Sequence, residues 1–318
     1  MIPRAHHPLP ADVEADLRRA ERLCWLSILM LSGVAALMFA AMGDSQAMKT
    51  AWIEDMLSLV PPIAFLVAAR AARRPPDADY VNGRWRAFDI NFLIAAVALA
   101  GVGVGLVYDG LHALLKAEHT TIGAVDVAGV RLWHGWLMVG ALLVSALPPV
   151  LLGHAKLKLA RRLQLKPLHT DADMNKAHWM TALAGIGGIV GIGFGLWWAD
   201  AVAALVIAGS VLKDGAGNLV HAMRDLQDGR IETLERGDPD PLATKVRRAV
   251  AALDWVQACD VRLHEEGMRV SGVVVVTPVD DRNLRARLRE AADIARAVHW
   301  RMDCVSVELG EAGARGEG

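Results

Sequence analysis

The chain is short of cysteine, of net charge and of recognisable catalytic signatures, and each shortage closes off a class of protein. Its three cysteines, Cys24, Cys259 and Cys304, stand far apart and form no CxxC pair. A disulfide framework or a zinc knuckle therefore has no sequence basis. With 34 basic and 35 acidic residues the formal charge is −1, so no global field points to nucleic acid as a partner. No phosphate-binding loop, nucleophile–base pair or cofactor fingerprint is present, which leaves a soluble-enzyme reading unsupported and no tightly bound cofactor expected.

What the chain does have is apolar length. Of its 318 residues 54% are hydrophobic, above the roughly 45–50% of ordinary soluble proteins. A helix needs about 20 mainly apolar residues to cross a bilayer. Six stretches qualify: Leu23–Met42, Ala51–Ala71, Ile90–Leu115, Val130–Leu152, Met174–Trp198 and Ala201–Met223. The first is long and follows a polar segment of mixed charge, so it reads as a span rather than a cleaved signal peptide. Pro61 and Pro62 in the second stretch, and Pro148 and Pro149 in the fourth, remove backbone donors and are expected to kink their helices. Gly187, Gly191 and Gly195 lie four apart in the fifth and would allow close helix packing.

Basic residues set the orientation. Arg18, Arg19 and Arg22 precede the first span. Arg70, Arg73, Arg74, Arg84 and Arg86 lie between the second and third, and Lys156, Lys158, Arg161, Arg162 and Lys166 between the fourth and fifth. The alternate loops carry little more than Lys49, Lys116 and Arg131. Basic loops stay cytoplasmic, so both termini are expected inside, in a plasma (inner) membrane. The expected divisions are a cytoplasmic segment at 1–21, a transmembrane domain at 22–229, a cytoplasmic domain at 238–310 and a disordered tail at 311–318. Within the third of these, Ala243–Leu253 and Asn283–Val298 read as helices. Cys259–Leu263, Arg269–Thr277 and Asp303–Leu309 read as strands, with a turn near Glu265–Gly267. The order helix–strand–strand–helix–strand predicts a small two-layer α+β domain.

Ionisable groups inside the spans carry the chemistry, because a charge at the bilayer centre costs at least ~2.5–3.5 kcal/mol. Glu54 and Asp55 lie in the second span, and Glu54 and Ser58, four apart, share a helical face. Asp171, Asp173, Met174, Asn175 and His178 open the fifth. Asp171, Met174, Asn175 and His178 follow i, i+3, i+4, i+7, a single stripe. A carboxylate and hydroxyl on one helix can thus face a carboxylate, amide, thioether and imidazole on another. Mixed oxygen and nitrogen donors suit Mn, Fe, Co or Zn better than Cu(I), and an imidazole disfavours Ca or Mg. Asp171 and Asp173 could equally cap the helix start, and His178 could be a hydrogen-bonded packing residue.

Two local patterns resemble one known family. Ala71-Ala-Arg-Arg-Pro-Pro-Asp77 followed by Tyr80-Val-Asn-Gly-Arg84 is similar to the loop after the second span of the cation diffusion facilitator family, and Trp197-Trp-Ala-Asp-Ala-Val-Ala-Ala-Leu205 resembles the start of its sixth span. The likeness runs over about residues 20–310. It implies an all-α six-helix transmembrane bundle with a C-terminal α+β ferredoxin-like cytoplasmic domain, assembled as a homodimer. It implies proton-coupled export of a divalent cation through a site between the second and fifth spans. The family's site, a His/Asp pair four apart on each of those spans, falls here on Glu54 and Ser58 and on Met174 and His178. That departs from the family pattern at Ser58 and Met174, with Asp55, Asp171, Asp173 and Asn175 as nearby substitutes. His178 is the natural proton-coupling group, since an unperturbed imidazole titrates near 6.5. The strand positions at which some relatives bind a regulatory metal fall on Cys259, Val275 and Val307, so regulatory metal binding there is expected to be weak or absent. The competing reading is a non-transporting membrane metal sensor or scaffold, which the altered ligand set would suit.

Overall fold

The computed structural model describes residues 9–117, 119–127 and 130–310; the expectations for the first eight residues and for 311–318 lie outside them. The chain divides into two compact units. One comprises Ala15–Arg70 and Ile90–Met223; the other, of the described residues, 9–14, Ala71–Asp89 and 224–310.

Long helices build the first unit: α1 (Ala11–Ala41), α2 (Gln46–Leu57), α3 (Val60–Ala72), α4 (Ala87–Leu115), α5 (His134–Leu163), α6 (Lys166–Gly193) and α7 (Ala199–Leu226). A short hairpin, β1 (Ala124–Val127) with β2 (Val130–Trp133), precedes α5; sequence periodicity had assigned its second strand to the fourth span. Among the described residues, four segments are long and apolar enough to cross a membrane: Ala11–Ala41, Gln46–Ala72, Ala87–Leu115 and His134–Leu163. The helices α6 and α7 have 28 residues each, but Lys166, Asp171 and Asp173, and Lys213 and Asp214, make them more polar.

Proline decides where the second span breaks. Pro61 and Pro62 have no N–H to give to the carbonyls of Leu57 and Ser58, and the helix parts there into α2 and α3. Ser58 closes α2, its backbone N–H donating to the Glu54 carbonyl at 2.9 Å. By contrast α5 runs through Pro148 and Pro149 without interruption.

The glycines of α6 do allow close approach, on a different stripe from the expected one. A Cβ at Gly188 would lie 2.7 Å from that of Ala203, and one at Gly191 would collide with the Cβ of Ala199; Gly187 and Gly195 have open space at that position. Gly188 and Gly191 are three apart, and they seat α6 on α7. Gly195, at φ +83°, lies beyond the end of α6.

The second unit holds α8 (Pro241–Ala251), β3 (Val256–Glu266), β4 (Arg269–Pro278), α9 (Leu284–Ala297) and β5 (Met302–Leu309). The sheet order is β3-β4-β5, antiparallel then parallel. The parallel pair needs a crossover, which α9 supplies. Val246 and Val250 of α8, Val261, Leu263, Val270, Val274 and Val276 of the sheet, and Ala291 and Ala295 of α9 form one buried core. The element order and the shared core match the two-layer expectation, with boundaries within three residues. Asp240 caps α8 by accepting from the Leu242 N–H at 2.9 Å. The buried Arg301 ties that cap to β3, donating to Asp240 at 2.8 Å and to Glu265 at 2.7 Å. The β3–β4 turn meets the start of α4 within this unit: the Gly267 N–H donates to Asp89 Oδ2 at 2.9 Å, and the Arg269 guanidinium lies 5.2 Å from the Trp85 ring centre.

Candidate functional site

The start of α2 is held by a side chain from α7. Ser45 caps the helix, accepting from the Met48 N–H at 3.2 Å. The Asp200 carboxylate adds three contacts: it accepts from the Ser45 hydroxyl at 2.6 Å, the Gln46 N–H at 2.6 Å and the Ala47 N–H at 3.1 Å. An anion at a helix N-terminus satisfies free N–H groups and complements the dipole. The sequence pattern placed Asp200 at the start of a span without exposing this role.

From that anchor, α2 carries Glu54 and Asp55 into its last turn, immediately before the break. Asp55, Ser58, Asn175 and His178 are all buried. The Ser58 hydroxyl donates to the Glu54 carbonyl at 2.9 Å and lies 3.1 Å from His178 Nε2. A hydroxyl has one hydrogen. With that hydrogen on the Glu54 carbonyl, Ser58 can only accept from the ring, so donor counting places the hydrogen of a neutral His178 on Nε2. Nδ1 then presents its lone pair, and Asp55 Oδ1 stands 3.7 Å from it.

The two carboxylates are incompletely matched. Glu54 Oε1 accepts from the Thr181 hydroxyl at 3.1 Å, but Glu54 Oε2 and Asp55 Oδ2 are buried without a hydrogen-bond partner among the described residues. A buried carboxylate oxygen lacking a donor is costly unless a proton or cation accompanies it. Thr181 was not singled out from sequence, although it lies three residues beyond His178, on the extended stripe.

The remaining candidates are engaged elsewhere. Asp171 Oδ2 pairs with the Lys156 ammonium at 2.6 Å, and Asp171 Oδ1 accepts from the Asn175 amide at 3.0 Å. Asp173 is half exposed and its carboxylate lies 3.4 Å from His169 Nδ1. The Met174 thioether receives the Asn218 amide at 3.7 Å. The structure thus brings Asp55, Ser58 and His178 together, sets the Glu54 side chain against Thr181, and places Asp171 with Asn175 in a second group. Among the described residues, no three His, Cys, Asp or Glu side chains converge closely enough to hold a metal ion as they stand.

Residues 24–227, well over half of the chain, match the family model described as the cation efflux transmembrane domain. Over 220 residues the chain is 26% identical to the manganese efflux system protein MneS of Bacillus subtilis (strain 168), covering 67% of this chain and 70% of that one. It is 23% identical over 237 residues to the uncharacterized transporter YdbO of the same organism, covering 70% of this chain and 78% of that one. The buried polar groups in membrane-length helices and the extent of the family match lead to one conclusion: the chain belongs to the cation efflux family, and is an integral membrane transporter of metal cations rather than an enzyme.

Proposed function

We propose that the protein exports a divalent cation of the Mn, Fe, Co or Zn class, with manganese the first candidate, in exchange for protons, through a site where α2 meets α6. One observation carries this reading: His178 Nδ1 and Asp55 Oδ1 face each other at 3.7 Å while Glu54 Oε2 and Asp55 Oδ2 lack donors. Two electron-rich atoms at that spacing, with the second Asp55 oxygen unmatched and the acidic Glu54 adjacent in the chain, form a position that a proton or a metal ion would fill. Oxygen and nitrogen donors without thiolate fit the harder end of the first transition row. The manganese efflux relative agrees with that choice.

The same position explains exchange. A metal ion requires the imidazole neutral and the carboxylates ionised, so metal and protons compete for one set of atoms. A cation arriving from the cytoplasm would release protons from the Asp55–His178 position. After reopening to the other side, protons would return and lower the affinity for the metal. Ser58 holds the ring in the tautomer that exposes Nδ1, and Thr181 holds Glu54. Counting α2 and α3 as one broken span, and including α6 and α7, gives six spans with both termini cytoplasmic. A ferredoxin-like C-terminal domain and a homodimer complete this reading.

The test is Mn²⁺-driven proton movement in proteoliposomes containing the full chain. In wild type, Mn²⁺ entering the lumen should drive protons out and alkalinise it in step with Mn²⁺ flux. Asp55→Ala with His178→Ala, and Glu54→Ala with His178→Ala, should abolish both signals. Undiminished flux in either double variant sinks the assignment.

A further inference from the structure

A fully buried lysine lies outside the site just described. Lys156 of α5 has no exposed surface, and the contact that matches its ammonium is Asp171 Oδ2 of α6 at 2.6 Å. The other Asp171 oxygen takes the Asn175 amide at 3.0 Å. A hydrophobic pair of similar volume would fill the same space without desolvating two charges. A charged pair kept buried at that cost, near the connection between two long helices, points to a use beyond packing.

Its position narrows the role. The chain links α5 to α6 through Gln164 and Leu165 alone, beside the basic residues Lys158, Arg161 and Arg162 that mark the cytoplasmic side. Asp171 lies seven residues from His178 on the same face of α6, roughly 10 Å nearer that connection at about 1.5 Å per residue. The Lys156–Asp171–Asn175 group therefore lies along α6 between the cytoplasmic end and the site. Asn175 now turns its amide nitrogen to Asp171. Rotated, it would offer an oxygen beside the carboxylate, an all-oxygen pair suited to a hard divalent cation.

We propose that Lys156 is a tethered internal cation occupying a metal position at Asp171 and Asn175, so that a divalent ion travelling towards His178 must displace its ammonium. The pair is then an inner gate. Asp171 with Asn175 is a transient stop on the route, and Lys156 returns to clear it and drive the ion onward. This rests on the reading that the ion is held at Asp55 and His178.

The experiment is equilibrium Mn²⁺ binding and Mn²⁺ flux for the full chain in wild type, Lys156→Met, Lys156→Met/Asp171→Asn and Lys156→Met/Asp171→Leu. Lys156→Met should bind an extra ion per protomer, and its flux should fall about tenfold or more, the scale on which a supporting residue alters a metal site. Adding Asp171→Asn should return the ion count to that of wild type. An unchanged count in Lys156→Met overturns the proposal. So does wild-type flux and half-saturation in the Lys156→Met/Asp171→Leu pair, which keeps the packing and removes both charges. If Lys156→Met does not fold, that neutral pair decides: lost transport with a retained melting transition supports the gate. Asp55→Ala with His178→Ala tests the underlying site separately, by the loss of the ion that wild type binds.

Discussion

The Ser58 hydroxyl stands 3.1 Å from Nε2 of His178, and this single contact selects the ring nitrogen that faces Asp55. Outer groups that orient a metal-binding imidazole typically change metal affinity about 10–100-fold. Ser58→Ala should therefore weaken Mn²⁺ binding by about tenfold or more while leaving the melting temperature close to wild type. Ser58→Thr, which keeps the hydroxyl, should retain affinity. Calorimetric titration of the purified chain checks both. Equal losses in the two variants would mean that shape, not the hydroxyl, is what counts.

Among the described residues, Thr181 is the side-chain donor to Glu54, at 3.1 Å. Thr181→Val keeps the volume and removes the hydroxyl. It should raise the half-saturating Mn²⁺ concentration in flux assays with little change in maximal rate, while Thr181→Ser stays near wild type. A lost donor to a buried carboxylate is worth about 1–3 kcal/mol, so the shift should be readily measured.

Asp200 holds three donors at the start of α2. Asp200→Ala leaves the Ser45 hydroxyl and two backbone N–H groups without that acceptor. Charge-assisted bonds are roughly twice as strong as neutral ones, so stability should fall by about 2–4 kcal/mol. Asp200→Asn should lose less, because one acceptor oxygen remains. Thermal unfolding in nanodiscs reads the difference.

Gly267 turns the β3–β4 hairpin at φ +62°, and a Cβ there would meet the Trp85 carbonyl and the Phe88 ring. Gly267→Ala should cost about 2 kcal/mol through left-handed backbone strain and that collision. Its N–H bond to Asp89 should loosen as well. Hydrogen exchange at residues 265–270 would report both. Unchanged protection there would refute the docking.

His299 supplies a pH signature outside the spans. Burial, with the nearby Arg301 guanidinium, lowers its pKa from the usual 6.5. Above pH 6.5 the ring is neutral in both folded and unfolded chains, and stability is unaffected by it. Below that, the unfolded chain takes up the proton first, so stability falls as pH drops towards the lower folded value. Denaturant unfolding followed through Trp300, whose ring centre is 5.6 Å from that of His299, should show this decline. His299→Gln should flatten the component below pH 6.5.

Much of the fold could be read from local pattern. The valine-rich run Arg269–Thr277 marks a strand and the helical periodicity of Asn283–Val298 encodes one exposed and one buried side, and the structure places both elements within three residues. The β1–β2 hairpin was missed because apolar strand residues such as Val130, Leu132 and Trp133 run directly into α5 and merge with its hydropathy. The glycine stripe was misplaced for a related reason. Spacing alone cannot tell Gly187 from Gly188, whereas contact with Ala203 can. At the candidate site, Glu54, Ser58 and His178 were visible as spaced polar residues in apolar helices. The Lys156–Asp171 and Asp200–Ser45 partnerships were not visible, since they join residues 15 and 155 positions apart. Side-chain pairing across helices leaves no periodic trace.

Pinning Ser45 to Asp200 makes the head of α2 a fulcrum. A rod fixed at one end and jointed at Leu57–Leu59 can swing, but it cannot slide. The Glu54 and Asp55 carboxylates ride near the free tip of that short lever, where a small rotation gives the largest displacement. The proline joint thus parts α3 from the short segment that holds Asp55 against His178.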